Sequence, residues 1–428
     1  ITLALNENVT CTITNDDQPG TLIVKKVVNN DNGGTLEAKD FTFQVNGETA
    51  ISFEADGQND LTVNAGKYSI TEPAVSGYST TYDNCTNVVI ANGDTATCTI
   101  TNDDQLTRLI VIKHVDNTHG GTAKASDFTM TINGVTVVGA NSFHGAESPG
   151  TTKTVLPGTY SVTETGPSGY DSQFSADCSG TIALGETKTC TITNSDKPAT
   201  LTVIKHVIND NNGTASASDF TINVTGKNVS STSFAGSESG VSVTLDAGSF
   251  KVDEITNNGY RKTLSGDCSG TIKAGESKIC TITNDDKPAT LKIRKIVDGG
   301  NLRASDFSFS VNGGSAIKFE NDGQNNLTVN AGTYTITEPA VPGYTTTYNN
   351  CSGIVLANGA SATCTITNTR DTGTLTIVKH AINHSSQNFG FETNFDTSIL
   401  PGTQHHFELD DNGFGSNSRT FTLPTNSY

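Results

Sequence analysis

An all-β fold of tandem sandwich domains is the architecture this sequence predicts, on three observations. Thr, Val and Ile alternate with polar residues over short runs bounded by Gly, Asn, Asp and Pro. That is the pattern of half-buried strands between tight turns. No stretch carries helical periodicity of useful length. Three short motifs also return along the chain. Leu-x-Val/Ile-x-Lys ends at Lys26, Lys113, Lys205, Lys295 and Lys379. Cys-Thr-Ile-Thr-Asn ends at Asn15, Asn102, Asn194, Asn284 and Asn368, and Tyr/Phe-x-Ile/Val-x-Glu ends at Glu72, Glu164, Glu254 and Glu338.

Two spacings do not vary. Each Glu precedes its Asn by 30 residues, and each Asn precedes the next Lys by 11. Lys to Lys drifts between 84 and 92 residues. Loops have changed length while two distances have not, so those two carry geometry. A period this long suits a string of small domains, each with its own core, rather than a solenoid. The repeats divide the chain into 18–104, 105–196, 197–286 and 287–369. Residues 1–17 match only the last strand of a preceding or neighbouring domain. Residues 370–428 match the first part of an incomplete fifth, with Tyr428 aligned to Tyr68.

Within a repeat the elements follow in order. The first strand carries the Lys, and Asn32-Gly33 and Asn212-Gly213 mark tight turns after it. The middle strand carries the Glu. The last strand carries a Cys and the Asn. Linkers at 103–106, 195–199 and 285–289 are short, and Pro198 and Pro288 stiffen two of them. A semi-rigid rod is expected.

Composition narrows the function. The net charge of −18 argues against nucleic acid and anionic membrane as partners. No apolar run approaches the roughly 18 residues of a membrane span. The chain begins at Ile1 without a visible leader, so it reads as a processed or truncated piece of something larger. Only 34% of residues are hydrophobic, with no Trp and one Met. A domain of this size buries only about 60–65% of its unfolded surface, so cross-links are useful.

Eight of the nine cysteines pair within repeats: Cys85 with Cys98, Cys178 with Cys190, Cys268 with Cys280, and Cys351 with Cys364. A turn signal lies midway, as in Ala-Asn-Gly at 91–93. The pattern reads as a β-hairpin closed by a disulfide. Metal ligation, the rival, wants Cys-x-x-Cys spacing or nearby His, and neither occurs. The disulfide reading implies an oxidising, extracellular setting. Cys11 stands unpaired.

Strand side chains alternate faces. Leu22, Val24 and Lys26 therefore share the core face with Tyr68, Ile70 and Glu72 and with Cys98, Ile100 and Asn102, and the other repeats keep this parity. One Lys, one Glu and one Asn thus point into each interior. Unpaired buried charge is costly. Burial pushes a lysine toward the neutral amine and a glutamate toward the neutral acid. An amine beside an amide is a nucleophile facing an electrophile, and a carboxyl group beside both can shuttle protons. The candidate product is a Lys–Asn isopeptide bond with loss of ammonia, at Lys26–Asn102, Lys113–Asn194, Lys205–Asn284 and Lys295–Asn368. Glu72, Glu164, Glu254 and Glu338 act as the single-turnover catalysts. A Lys–Glu salt bridge with an ordinary hydrogen-bonded Asn is the plainer alternative.

These residues resemble the Cna B-type, or prealbumin-like (SpaA-like), repeats of prokaryotic surface adhesins and pilins. The resemblance rests on Leu-Ile-Val-Lys-Lys ending at Lys26, on Tyr-Ser-Ile-Thr-Glu-Pro-Ala-Val-Ser-Gly-Tyr from 68 to 78, and on Thr-Ile-Thr-Asn ending at Asn102. It implies an Ig-like β-sandwich whose first and last strands are adjacent and cross-linked, and an extracellular structural role. Two features depart from it. Paired cysteines are unusual in Gram-positive pilins, and no sortase sorting motif occurs, since Leu423-Pro424-Thr425-Asn426 aligns with a strand and turn.

Other signals are weaker. Asp103-Asp104, Asp285-Asp286 and Asp410-Asp411-Asn412-Gly413 fit no full calcium loop and read as solvated turns. His405-His406 lacks a third metal ligand. His114, His206 and His380 follow the reactive lysines and point outward. Sequons at Asn8, Asn84, Asn212, Asn223, Asn228, Asn326, Asn350 and Asn383 are near chance in so polar a chain. No metal, cofactor or recurring enzyme motif is expected.

The expectation is a segment or subunit of an extracellular filament, pilus or stalk. The alternative is a surface adhesin read out by its fifth domain, where Phe389, Phe391, Phe395 and His405-His406 depart from the other repeats. Partners would be further copies head-to-tail or the rest of a longer array. A neighbour's Asn15 would then stand beside Lys379. The pattern lacks about 19 residues between Tyr428 and a following Ile1, by the repeat spacing. The fifth Glu and a partner for Cys11 fall in that gap, which counts against a gap-free composite domain.

Overall fold

A computed structural model describes residues 1–380, 389–392, 406–409 and 417–424. The fold is all-β, and each complete repeat packs one sheet on another around its own core. In the first repeat, Gly20–Asn29 pairs antiparallel with Gln58–Val63 and parallel with Thr95–Asp104. Tyr78–Asp83 completes this four-stranded sheet. Across the core, Ile51–Ser52, Thr42–Val45 and Ile70–Thr71 form a second sheet, and Gly66–Tyr68 pairs with Val88–Ile90. The fourth repeat copies this plan. In the second repeat the middle strand is unbroken: Gly158–Thr165 pairs with both Thr129–Asn133 and Ser179–Ile182.

The parity read from the sequence is the parity of the fold. Leu22, Val24, Cys98 and Ile100 are buried with Phe41, Phe43 and Ile70. Leu109, Val111, Cys190 and Ile192 form the matching core of the second repeat, and Leu291, Ile293, Cys364 and Ile366 that of the fourth. The third buries Leu201, Val203, Phe220, Ile222, Val252 and Ile282. The first and last strands are direct neighbours in all four. Parallel neighbours need a long connection between them. Here that connection is the rest of the domain.

A one-turn 3-10 helix enters every repeat before its second strand, at Ala38–Asp40, Ala125–Asp127, Ala217–Asp219 and Ala304–Asp306. Its Asp accepts a backbone N–H at the helix start, as Asp40 does from Glu37 at 2.8 Å. The next residue, Phe41 or its counterpart, is thereby delivered into the core.

All four cysteine pairs are disulfides: Cys85–Cys98, Cys178–Cys190, Cys268–Cys280 and Cys351–Cys364. The expected hairpin is not what they close. Val88–Ile90 pairs with Gly66–Tyr68, while Thr95–Asp104 pairs in the opposite sheet. The turn at 91–93 is therefore a crossing between sheets, and the disulfide ties the sheets across it. Equal spacing about a turn does not distinguish the two, because the same loop length serves a hairpin or an arch.

In the fifth repeat, Thr372–Val378 pairs with Ser418–Pro424, and Phe389–Glu392 with His406–Leu409. Phe391 and Phe407 stack with centroids 5.3 Å apart, beside Leu409, Phe421 and Leu423. Residues 1–19 are exposed throughout and form no strand. No helix among the described residues is long and apolar enough to cross a membrane.

Thiol alkylation of the denatured, unreduced chain should label Cys11 alone, and eight further sites should open after reduction. Labelling at Cys98 or its counterparts before reduction would contradict the assigned pairs.

Candidate functional site: a buried Lys–Glu–Asn cluster

Each complete repeat brings its Lys, Glu and Asn together. The parallel register sets this up. Lys26 stands opposite Ile100, and Asn102 opposite Val28, so Lys26 and Asn102 share the core face two residues apart along adjacent strands. A long amine side chain spans that step. Gly57 closes the other side. Its carbonyl accepts the Lys26 N–H at 2.7 Å, its φ is +76°, and a Cβ there would come within 2.9 Å of the Lys26 carbonyl oxygen. Only glycine suits that position. Gly323 does the same against Lys295.

The cluster takes two forms. In the first and fourth repeats, Lys26 Nζ contacts Glu72 Oε2 and Asn102 Oδ1, and Lys295 Nζ contacts Glu338 Oε2 and Asn368 Oδ1. In the second and third, the carboxylate lies between amine and amide. Lys113 Nζ is 3.3 Å from Glu164 Oε2, and Asn194 Nδ2 donates to Glu164 Oε1 at 2.6 Å. Lys205 Nζ is 3.2 Å from Glu254 Oε2, and Asn284 Nδ2 donates to Glu254 Oε1 at 2.6 Å. The lysines also donate to backbone, Lys113 to the His114 carbonyl at 3.0 Å and Lys205 to the His206 carbonyl at 3.3 Å.

Lys113 and Lys205 are fully buried, and Lys26 and Lys295 nearly so. Burial pushes all four amines below the usual lysine value, and the neighbouring Glu pulls the other way. The asparagines are buried as well, and several amide atoms have no hydrogen-bond partner: Asn102 Nδ2, Asn194 Oδ1 and Asn284 Oδ1. Chemically this is an amine held toward its nucleophilic form, beside an amide and a carboxylate, away from water.

Two sets of residues at the site escaped the sequence reading. Phe41, Phe128, Phe220 and Phe307 lie beneath the lysines, with Nζ 3.8, 4.4, 4.4 and 4.0 Å from the ring centroids. The signal was present as Ala-Lys/Ser-Asp-Phe at 38–41, 125–128, 217–220 and 304–307. The second set is Tyr82 and Tyr348. Their hydroxyls accept the backbone N–H of Glu72 and Glu338 at 3.0 Å. In those repeats the strand carrying the Glu stops one residue early, and the tyrosine supplies the missing acceptor. Phe174 and Leu264 stand there in the second and third repeats, where the strand includes the Glu.

The other sequence candidates fall elsewhere. His114 and His206 are exposed and face Glu147 and Glu238, each at 3.0 Å. Lys379 is buried over Phe389 at 4.0 Å, while Asn15 is exposed. Phe389 takes the place of Phe41 over its lysine, but it is 41% exposed where Phe41 is 1% exposed, and Phe391 is half-buried. Phe395, His405 and the 410–413 loop lie outside the described residues; His406 is an exposed strand residue.

The reading of Asp103-Asp104 and Asp285-Asp286 as solvated turns is corrected for the second residue of each pair. Asp104 and Asp286 are buried, as is Asp196. Asp104 accepts N–H groups from Asn32 at 2.8 Å and Gly34 at 2.7 Å, and Asp286 from Asn211 at 2.9 Å and Gly213 at 2.6 Å. Burial raises the carboxyl pKa of each, but the donated N–H groups outweigh it and hold both below the usual aspartate value. Acidic triplets Asp31–Asp103–Asp104 and Asp210–Asp285–Asp286 are close enough to share an ion. The buried carboxylates, however, are already engaged by backbone donors.

The family model described as "Prealbumin-like fold domain" matches four times, over residues 17–100, 104–194, 196–284 and 286–377. None of the curated proteins compared with the chain matches it. Among solved structures, the Bacillus anthracis TIE protein is similar at 16% identity, with 82% of this chain and 68% of that chain covered and a TM-score of 0.42. Two B repeat units of the collagen binding protein of Staphylococcus aureus are similar at 17% identity, covering 83% and 100%, TM-score 0.22. The pilus adhesin SpaC from Lactobacillus rhamnosus GG is similar at 14% identity, covering 83% and 44%, TM-score 0.19. At these values the structural likenesses carry no argument, and the family match stands alone.

Asp286→Ala should leave the Asn211 and Gly213 amides without their acceptor and cost about 1–3 kcal/mol locally. Hydrogen exchange should speed up at those two amides and stay unchanged in the Asn117–Gly121 loop of the second repeat. The chain belongs to the prealbumin-like fold domain family, as four consecutive copies of it.

Proposed function

We propose that this chain is a load-bearing segment of an extracellular surface filament, pilus or stalk, built from units 18–104, 105–196, 197–286 and 287–369, each closed by a Lys–Asn isopeptide bond. The observation that carries this reading is the fourfold recurrence of a buried amine and a buried amide on adjacent strands, with a carboxylate from the opposite sheet in contact with the amine. A salt bridge alone needs no buried amide, and none of the four sites lacks one.

The chemistry balances within each site. The neutral Lys Nζ attacks Asn Cγ, and the new C–N bond forms as the Cγ–Nδ2 bond breaks. The Glu carries a proton from Nζ to the departing Nδ2, which leaves as ammonia. No other reactant is needed, and the site is spent after one turnover. Phe41 and its counterparts keep water from the amine. Tyr82 and Tyr348 hold the Glu backbone where the strand ladder does not reach it.

Mechanically, tension entering at Lys26 would leave at Asn102 without passing through the interior. Forced unfolding is then blocked covalently rather than slowed. Between successive cross-links, only the 11-residue steps from each Asn to the next Lys would lie outside them. The disulfides fit the same oxidising, extracellular setting.

Intact mass of the reduced protein should fall below the sequence mass by one ammonia for each of the four bonds. A mass equal to the unmodified chain would reject the cross-links and favour the ion-pair reading. Glu72→Ala should restore one ammonia, with Lys26 and Asn102 recovered on separate peptides. Tyr82→Phe should slow closure of the first repeat only, read as a transient population one ammonia heavier, while the Lys113–Asn194 site closes at its normal rate.

A further inference from the structure

We infer that Lys262 and Asp253 are positioning residues for the Lys205–Glu254–Asn284 site, holding the Glu254 backbone as Tyr82 and Tyr348 hold that of Glu72 and Glu338. This role rests on the cross-link proposed above and adds to it two residues that no repeated motif contains.

The need arises in the strand ladder. Ile255 N–H donates to the Thr221 carbonyl at 3.2 Å, and Glu254 stands opposite Ile222. Bonded and non-bonded pairs alternate along antiparallel strands. Glu254 is therefore in a non-bonded pair, and its own N–H and C=O point away from that neighbour. Glu254 is buried, and buried backbone groups need partners. Two side chains meet them. Asp253 Oδ1 accepts the Glu254 N–H at 2.9 Å, and Lys262 Nζ donates to the Glu254 carbonyl at 3.2 Å. Lys262 Nζ is also 2.6 Å from Asp253 Oδ1, so an ion pair joins the two contacts.

One hydroxyl does the same in the outer repeats. Tyr82 accepts the Glu72 N–H at 3.0 Å and donates to the Glu72 carbonyl at 3.4 Å. Tyr348 treats Glu338 alike, at 3.0 and 3.4 Å. Leu264 takes the tyrosine's place in the third repeat, opposite Ile282 as Tyr82 is opposite Ile100. Two residues earlier, Lys262 stands opposite Asn284, where the other repeats set Thr80, Ser172 and Thr346 opposite their asparagines. The strand that lacks the hydroxyl carries an amine one step along the same edge.

The pair is placed for position rather than for stability. The Lys262 and Asp253 side chains are 29% and 43% exposed, and ion pairs that exposed stabilise a fold little. Lys262, and then Lys251 at 2.9 Å from the other oxygen, hold Asp253 well below the usual aspartate range, so the acceptor stays ionised. What the pair fixes is a carboxylate with two exact contacts. Glu254 Oε1 accepts from Asn284 Nδ2 at 2.6 Å, and Oε2 lies 3.2 Å from Lys205 Nζ. A shift of about 1 Å in such a group costs up to about a hundredfold in rate.

The test follows the full chain after a pulse of cell-free synthesis under oxidising conditions. Samples are quenched, reduced and digested at intervals, and the fraction of Lys205 joined to Asn284 is read from peptide masses. Lys262→Thr and Asp253→Ala should each slow the joining at least about tenfold, with the Lys26–Asn102 and Lys295–Asn368 rates unchanged. Adding Leu264→Tyr to Lys262→Thr gives the third repeat the Thr-Thr-Tyr run of residues 80–82 and should restore the rate. A general loss of folding would not be reversed by a hydroxyl at that one position. Either single variant joining at the wild-type rate overturns the role, as does a slow Lys262→Thr chain that Leu264→Tyr leaves slow. A chain with no repeat joined, wild type included, rejects the cross-link and this role with it. Joining at equal rates in wild type and variants rejects the Lys262–Asp253 role alone.

Discussion

The structure depends on one constraint: a lysine must be buried between the first and last strands of every repeat. Those strands are parallel neighbours, so the whole domain is the loop that joins them. The amine meets a carboxylate from the opposite sheet and an amide from the adjacent strand. A phenylalanine ring floors the site, and a glycine such as Gly57 lets the next strand approach. Removing the carboxylate leaves the lysine buried without its charge partner, the situation that folding tolerates least. The constancy of the 30-residue Glu–Asn interval follows. It spans the path from one sheet to the other, and a change of length would move the carboxylate off the amine.

The four repeats solve this problem in two ways. The outer pair lets the lysine touch both partners and holds the Glu backbone with a tyrosine hydroxyl. The inner pair extends the Glu strand into the sheet ladder, as Met130 opposite Glu164 shows, and places the carboxylate between the other two groups. The inner pair also carries a His–Glu contact on the surface beside the lysine, which the outer pair lacks. Loop length and strand continuity have thus drifted around a fixed core geometry.

Much of this was legible in the sequence, for an identifiable reason. Period-2 alternation fixes which side chains share a face, so the parity of Lys26, Glu72 and Asn102 followed directly. What one strand faces across the core does not follow from its own pattern. Phe41 and Tyr82 were missed on that account, although Phe41 belongs to a recurring Ala-x-Asp-Phe run. The disulfides were paired correctly but placed in the wrong setting, since a hairpin and an arch have the same spacing. Asp104 and Asp286 looked like linker residues because burial there comes from a loop some 70 residues away.

The disulfide has a topological consequence. Cys85 and Cys98 both lie between Lys26 and Asn102 in the chain, so the sulfur ring is nested inside the interval that the proposed amide bond would close. With that bond in place, reducing the disulfide would loosen one sheet from the other but free no chain length between the two ends of a repeat. Redox state and extensibility would thereby be uncoupled. A reductant would soften the interior of such a repeat without making it any longer.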